Sequence, residues 1–397
     1  MTNNIMNTYG RPTIAFERGE GAYLWDTDNN KYLDALGGIA VCGLGHAHPA
    51  IAKAICEQAN KLIHTSNLYR IPAQEKLASQ LCELSGLEAV FFSNSGAEAN
   101  EAAIKIARLY GNKKFKHNNE INDAAIIVMD TSFHGRTLAT LSATGNPKVH
   151  AGFEPLVSGF IRVPYNDIEA IRAVAKNTKN VVAVLVEPLQ GEGGVNVPDS
   201  QYLNDIRTIC DENDWLMMLD EIQTGMCRTG QWFAHQHNGI KPDVMTLAKS
   251  LGNGFPIGAC LTGKKASNIM QPGNHGSTYG GNPLGCHVAS AVIETMQEIN
   301  ACEQASEMGS YMLSQFQAKL KGQPNIIDIR GKGMMIGIEL DRPCGELVAN
   351  ATKQNLLINV TSGNVIRLLP PLIFTKAEAD KTVEIVCHLI NEFTVGQ

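Results

Sequence analysis

Two residues near the middle of the chain are of the types that amine and carbonyl chemistry needs. An apolar run from Trp215 to Leu219 ends in Asp220, and a second, Val244 to Ala248, ends in Lys249 just before Ser250 and a glycine-bearing loop. Each charge sits where a strand is expected to stop. In α/β folds ligands bind beyond the carboxyl ends of the strands, so a carboxylate and an amine at two such ends face one pocket. A lysine amine that condenses with an aldehyde, beside a carboxylate that keeps a pyridine nitrogen protonated, is the pairing that pyridoxal phosphate chemistry uses. Taken by themselves the two residues favour a plainer reading, in which they end two strands in solvent or pair with each other. Their neighbours change that balance.

Four further stretches place reactive side chains at strand ends. Ala89 to Phe92 reads as a buried strand feeding Ser95-Gly96-Ala97-Glu98 and a helix through Tyr110. Ser95 with Glu98 three residues later has the capping-box pattern, and Gly96 lets a phosphate approach exposed N–H groups at the positive end of the helix. The strand Ala124 to Met129 runs into Phe133-His134-Gly135-Arg136. Phe133 suits either the core or the cover of a flat ring, and Arg136 can take a carboxylate in bidentate fashion. Val181 to Val186 is almost wholly apolar, as in a parallel sheet covered on both faces, and leads to Glu187 and Glu192. Glu192 is thereby a candidate charge partner inside a pocket. Ser277 and Thr278 stand among glycines in a polar loop that suits phosphate or substrate contact, and equally any surface loop. Arg367 interrupts the apolar run Val365 to Leu369, where a charge is costly unless paired.

The elements that carry these residues indicate an α/β fold. A β-hairpin is expected from Ala22–Asp26 and Lys31–Asp34, a helix from Pro49 with Ile51, Ile55 and Leu62 on one stripe, and a helix over Ala73–Ser85 that stops at Gly86. From Ile326 onward strands recur at Met334–Leu340, Leu356–Val360 and Asn364–Leu369. A last helix starts at Thr375 with Glu378 as a second capping box. At 397 residues the chain is too long for one typical core. We expect residues 1–60 to form an arm and part of a small domain, 61–290 a large domain, and 291–397 the rest of the small one. His46 and His48 are read as structural, with no third ligand at metal spacing.

Totals exclude several function classes. The 33 basic and 39 acidic residues leave a net charge of −6, and the longest basic patch is Lys113-Lys114-Phe115-Lys116. Nucleic acid is therefore not an expected partner, and anionic substrates must be met by individual arginines. Ten scattered cysteines without a C-x-x-C pair fit a reducing, cytoplasmic setting. No apolar run approaches the roughly 20 residues of a membrane span, and the first residues lack the features of a signal peptide.

With Ser95-Gly96-Ala97-Glu98, Phe133-His134-Gly135-Arg136, Glu187 to Glu192, Asp220-Glu221-Ile222-Gln223 and Lys249 in this order, the chain resembles the class III aminotransferases from about Tyr9 to its last helix. The resemblance implies a pyridoxal-phosphate-dependent enzyme of fold type I. Its large domain would hold a mostly parallel seven-stranded sheet beside a smaller α+β domain built from both chain ends, in a homodimer with shared active sites. It also implies roles. Lys249 would bond the cofactor and Asp220 would hold the pyridine nitrogen. Gln223 would bond the ring hydroxyl, Phe133 would stack on the ring, and His134 would stand beside them. Ser95, Gly96 and Ala97 would hold the phosphate, with Thr278 reaching it from the partner subunit. Arg136 and Ser277 would bind the acylated amino acid. Arg367 would bind the α-carboxylate of 2-oxoglutarate or glutamate, and Glu192 would cover it in turn.

The reaction implied is transfer of the δ-amino group of N2-acetylornithine to 2-oxoglutarate. The alternatives are ornithine, succinylornithine, succinyl-diaminopimelate or 4-aminobutyrate as donor, or an aminomutase that needs no keto acid. No metal is implied. Cys42, Arg70, Cys227 and Asn253 depart from the usual pattern, the first two on the expected substrate side.

Overall fold

The Leu216–Asp220 strand lies at the centre of a seven-stranded sheet in the order Ala89–Ser93, Gly258–Thr262, Val244–Leu247, Leu216–Asp220, Val181–Val186, Ala125–Met129, Phe160–Val163. The structure is a computed structural model that describes residues 4–10, 13–115 and 123–395. Lys116 of the basic patch and residues 1–3, 11 and 12 of the arm lie outside the described residues. Strand pairs from Val244–Leu247 to Phe160–Val163 are parallel, whereas Gly258–Thr262 is antiparallel to both its neighbours. The sheet is therefore the mostly parallel one expected. The four inner parallel strands are buried along their whole length, which is why they read as unbroken apolar runs.

Two strands of this sheet have no clear sequence pattern, nor do Phe16–Glu20, in the stretch expected to be an arm, and Ile326–Lys332. Phe160–Val163 and Gly258–Thr262 are four and five residues long, and both follow glycine-containing loops that conceal their pattern. The Ala89–Ser93 strand is an edge strand and only half-buried, not the fully buried one expected.

Two four-stranded sheets flank this core. In one, the hairpin Tyr23–Asp26 and Lys31–Asp34 pairs with Phe16–Glu20 and, in parallel, with Leu356–Leu357. The other runs Ile326–Lys332, Met335–Leu340, Val365–Leu368, Asn359–Thr361. The expected single strand Leu356–Val360 is thus two strands in two sheets. Ile358 marks the break, and the change of sheet ties the two chain ends together. One hydrophobic cluster joins both small sheets to the Ala89–Ser93 side of the large one, from Leu33 and Leu77 through Phe92 and Val288 to Phe316, Ile338 and Val386, while two further clusters cover the remaining parallel strands.

The helix Pro49–Ala59 ends before Leu62, which is 48% exposed, so the apolar stripe is shorter than read; Ile51 and Ala54 are its buried residues. His48 caps that helix, and His46 pairs with Asp34 at 2.8 Å. Thr375 and Glu378 form the expected capping box, each backbone N–H bonding the other's side chain, at 2.8 and 3.3 Å. Among the described residues no helix is long and apolar enough to cross a membrane.

Candidate active site

The carboxyl ends of the central parallel strands open on one cavity of about 710 Å³. Ser95, Gly96, Ala97, Phe133, His134, Arg136, Glu192, Asp220, Gln223 and Lys249 all line it. Asp220 is the last residue of its strand, and Lys249 follows the Val244–Leu247 strand by two positions. Adjacent parallel strands therefore deliver the acid and the amine to one edge.

Lys249 has φ of +45°, a left-handed conformation that side-chain-bearing residues rarely adopt, and it opens a short 3-10 turn. Its amine is enclosed by protein, although the cavity leaves part of the side chain accessible. Burial lowers its pKa to about 8; Arg367 adds to the effect, and Asp220, Glu187 and Glu192 oppose it. An amine so tuned is substantially neutral, and so nucleophilic, near pH 8.

Asp220 is locked by a buried polar network. Its Oδ2 accepts from Asn100 Nδ2 and faces His134 Nδ1, both at 2.8 Å, while Oδ1 accepts from the Ile222 N–H at 3.1 Å. Asn100 is held in turn by Thr246, whose hydroxyl donates to its amide oxygen at 2.7 Å. Two buried atoms of residues that line the cavity, His134 Nε2 and Gln223 Oε1, have no hydrogen-bond partner among the described residues. Orphaned polar atoms are uncommon in a folded interior.

The cradle around these groups is built on close glycine contacts. A Cβ at Gly96 would meet Ile222 Cδ1 at 2.8 Å, and one at Gly191 would meet Gln223 Oε1 at 2.0 Å. Gly96 is thus needed as much for its packing on Ile222 as for access to backbone N–H groups. Ser95 caps the Gly96–Lys114 helix by accepting from the Glu98 N–H at 3.2 Å. The return half of the expected capping box is displaced by one residue. Glu98 bonds the N–H and side-chain amide of Asn94, at 2.7 and 2.8 Å, in place of the Ser95 N–H.

Phe133 is fixed by a residue that sequence reading left without a role. Glu187 is buried, accepts from the Phe133 N–H at 2.9 Å and from the Gly191 N–H at 3.2 Å, and so pins both walls of the cavity. Burial raises its pKa to about 7; His134 opposes this and Asp220 adds to it. The Arg136 guanidinium lies 5.7 Å from the centroid of the Phe133 ring and has no ion pair among the described residues.

Arg367 does not itself line the cavity. It is 1% exposed and lies behind Glu192, whose carboxylate is 2.9 Å away and 49% exposed. Its Nε and Nη2 donate to Asn359 Oδ1 at 3.1 and 2.7 Å. Asn359 was not singled out from sequence, though it stands directly opposite Arg367 in the strand register.

Ser277 and Thr278 also stand outside the lining. The Ser277 hydroxyl accepts from the Gly280 N–H at 2.9 Å and contacts the Asn94 amide at 3.3 Å, and Thr278 is exposed. Arg70 is exposed too, clamped by Glu75 at 2.8 and 2.9 Å, and neither it nor Cys42 lines this cavity. Asn253 adopts φ of +45° and uses its amide to bond Leu44 and Gly45, which explains its presence there.

The donor set suits pyridoxal phosphate. Lys249 would bond its aldehyde carbon, Asp220 would meet the ring nitrogen, and Gln223 with its unpaired oxygen would meet the ring hydroxyl. Phe133 and the Gly96–Ala97 N–H groups would take the ring face and the phosphate.

Comparison with known proteins agrees. Residues 5–390 match the family model described as aminotransferase class-III. The chain is 56% identical over 391 residues to the acetylornithine aminotransferase of Nitrosomonas europaea, covering 98% of each. Among solved structures, ornithine aminotransferase from Toxoplasma gondii superposes with TM-score 0.94 at 32% identity, over 99% of this chain and 94% of that one. Acetylornithine aminotransferase from Elizabethkingia anophelis does so with TM-score 0.85 at 34% identity, over 98% and 96%. A folded-in lysine beside a fixed aspartate, on a sheet of this order and with relatives of this closeness, places the chain among the class-III aminotransferases, enzymes that depend on pyridoxal phosphate.

Proposed function

We propose that the chain moves the δ-amino group of N2-acetylornithine to 2-oxoglutarate, giving N-acetylglutamate 5-semialdehyde and glutamate, a step of arginine biosynthesis. The relatives named for this activity support the reading. The observation that carries it lies in the cavity wall. Every lining carboxylate is already engaged: Asp220 with His134 and Asn100, Glu187 with two backbone N–H groups, and Glu192 with Arg367. Gly38, Ile39 and Val41 line the same cavity as Arg136 and carry no charge. A donor with a free α-ammonium, such as ornithine, would find no free acid among the described residues, whereas a neutral acylamino group is at home against apolar wall.

Pyridoxal phosphate, when bound, supplies an aldehyde that takes up and returns the amino group and a ring cation that draws electrons from the reacting carbon. The chain does the rest. Lys249 removes and returns the proton at that carbon, its lowered pKa suiting it to act near neutrality. Asp220, oriented by His134 and Asn100, would hold a proton at the ring nitrogen. Phe133 would cover the ring, Gln223 would bond its hydroxyl, and Ser95, Gly96 and Ala97 would receive the phosphate. Arg136 takes the α-carboxylate of the donor. Glu192 swings away to uncover Arg367 when glutamate or 2-oxoglutarate arrives, so that a buried cation is paired at every stage.

In this proposal the enzyme is a cytoplasmic homodimer. Ser277 and Thr278, which stand apart from this cavity, complete the partner's site. Residues 61–290 then form the large domain, and 1–60 with 291–397 the small one.

Half-reactions with a panel of donors test the reading. Acetylornithine is expected to exceed ornithine and 4-aminobutyrate in kcat/KM by at least an order of magnitude. A preference for either of those would overturn it, and product formed without added keto acid would point to an aminomutase.

A further inference from the structure

Away from the cavity, two cysteines from distant parts of the chain meet. Cys227 lies in the loop that follows Gln223 and is fully buried, with φ of +65°. Cys302 lies in the first turn of the Ala301–Lys319 helix, 75 residues further on, and is partly exposed. Their sulfurs are 2.8 Å apart. That is within about 1 Å of the sulfur–sulfur bond length of roughly 2.05 Å. The helix packs on this loop beyond the one contact, since a Cβ at Gly230 would lie 3.0 Å from Ser306, one turn after Cys302. The loop is also joined to residues that flank the strands of the C-terminal sheet. Arg228 donates to the carbonyls of Met334 and Pro370, and its own carbonyl accepts from the Met334 N–H at 2.9 Å.

We propose that Cys227 and Cys302 form a reversible dithiol–disulfide site, closed by small-molecule disulfides such as oxidised glutathione, which staples the loop after Gln223 to the Ala301–Lys319 helix. The two thiols have unequal roles. Cys302 is the reachable one, it sits at the positive end of a helix, and the hydrogen bond it shares with Cys227 holds its pKa below the ordinary thiol range. Burial pushes the Cys227 thiol up, so it stays protonated until its neighbour has reacted. Cys302 thiolate attacks one sulfur of the oxidant, forming a mixed disulfide and expelling one glutathione thiolate. Cys227 then loses its proton to solvent and attacks the Cys302 sulfur, expelling the second glutathione. Two electrons pass from the cysteines to the oxidant, and two glutathione thiols are produced for one new disulfide.

The test uses the cofactor-loaded full chain, incubated with oxidised glutathione, alkylated while folded, and mapped by mass spectrometry. A Cys227–Cys302 linked peptide pair is expected, reversed by dithiothreitol, with the oxidised protein melting several degrees higher than the reduced one. In Cys227→Ser the reaction should stop at glutathione on Cys302. In Cys302→Ser, Cys227 should stay reduced, and neither variant should show the melting shift. The proposal is overturned if both thiols of the wild type stay reduced, if Cys302 stops at the mixed disulfide, or if Cys227 pairs with another cysteine.

Discussion

Removing the Glu192 carboxylate probes how one cavity serves two unlike substrates. Glu192 Oε2 lies 2.9 Å from an Arg367 guanidinium that is 1% exposed, while the Glu192 side chain is 49% exposed. An exposed ion pair is worth about 0–1 kcal/mol, and breaking one side of a fully buried pair costs about 3–5 kcal/mol. The half-exposed acid is screened by solvent, which sets this pair between those limits, at roughly 1–2 kcal/mol. In Glu192→Ala the carboxylate of glutamate or 2-oxoglutarate no longer has to displace a competitor. Apparent affinity for that pair should therefore tighten by roughly 5–30-fold. The acetylornithine half-reaction should not gain and should slow by a similar factor, because a bare Arg367, with Asn359 as its remaining neutral partner, draws the donor's carboxylate to the wrong end. Rapid-mixing measurements of each half-reaction, read from the cofactor's absorbance, separate the two. If both half-reactions change by one common factor, the gate does not exist.

Three further outcomes follow from the geometry. Gly96→Ala sets a methyl 2.8 Å from Ile222 Cδ1, and should destabilise the protein by about 1–3 kcal/mol in chemical denaturation, an effect that added Ile222→Ala, which removes all three close carbons, relieves more than Ile222→Val does. Uptake of pyridoxal phosphate by the cofactor-free protein should rise with pH to a midpoint near 8, the pKa to which burial lowers Lys249, because only its neutral amine attacks; a midpoint near 10.5 would contradict the assigned environment. Glu187 has a folded pKa raised from 4.5 to about 7, so its contribution to stability is fully present below pH 4.5 and lost as pH rises through about 7. Melting curves should therefore show the wild type's advantage over Glu187→Gln shrinking across that window, and an advantage that grows instead would reverse the sign of this argument.

Much of the arrangement could be read from the chain alone, for a physical reason. Strands buried on both faces are continuous apolar runs, so Asp220 and the residues after Leu247 and Val186 announce themselves as charges at the end of such a run. The supporting residues do not. Asn100 lies inside a helix and Thr246 inside a strand, where a polar residue has no sequence signature, and they matter only because the fold brings both to Asp220. Asn359 is visible as the partner of Arg367 only once the register is known, and the sequence pattern ran straight through Ile358 where the chain changes sheets. Glu187 follows its apolar run as plainly as Asp220 does, yet its backbone bonds to Phe133 and Gly191 depend on two loops that no local pattern connects.

All of these roles require that the Lys249 amine be the point at which this chain holds its cofactor. Borohydride reduction of the loaded protein followed by peptide mapping tests it directly. A reduced pyridoxyl group is expected on the peptide containing Lys249, and none anywhere in Lys249→Ala. A group found on another lysine, or retained after that substitution, would contradict it.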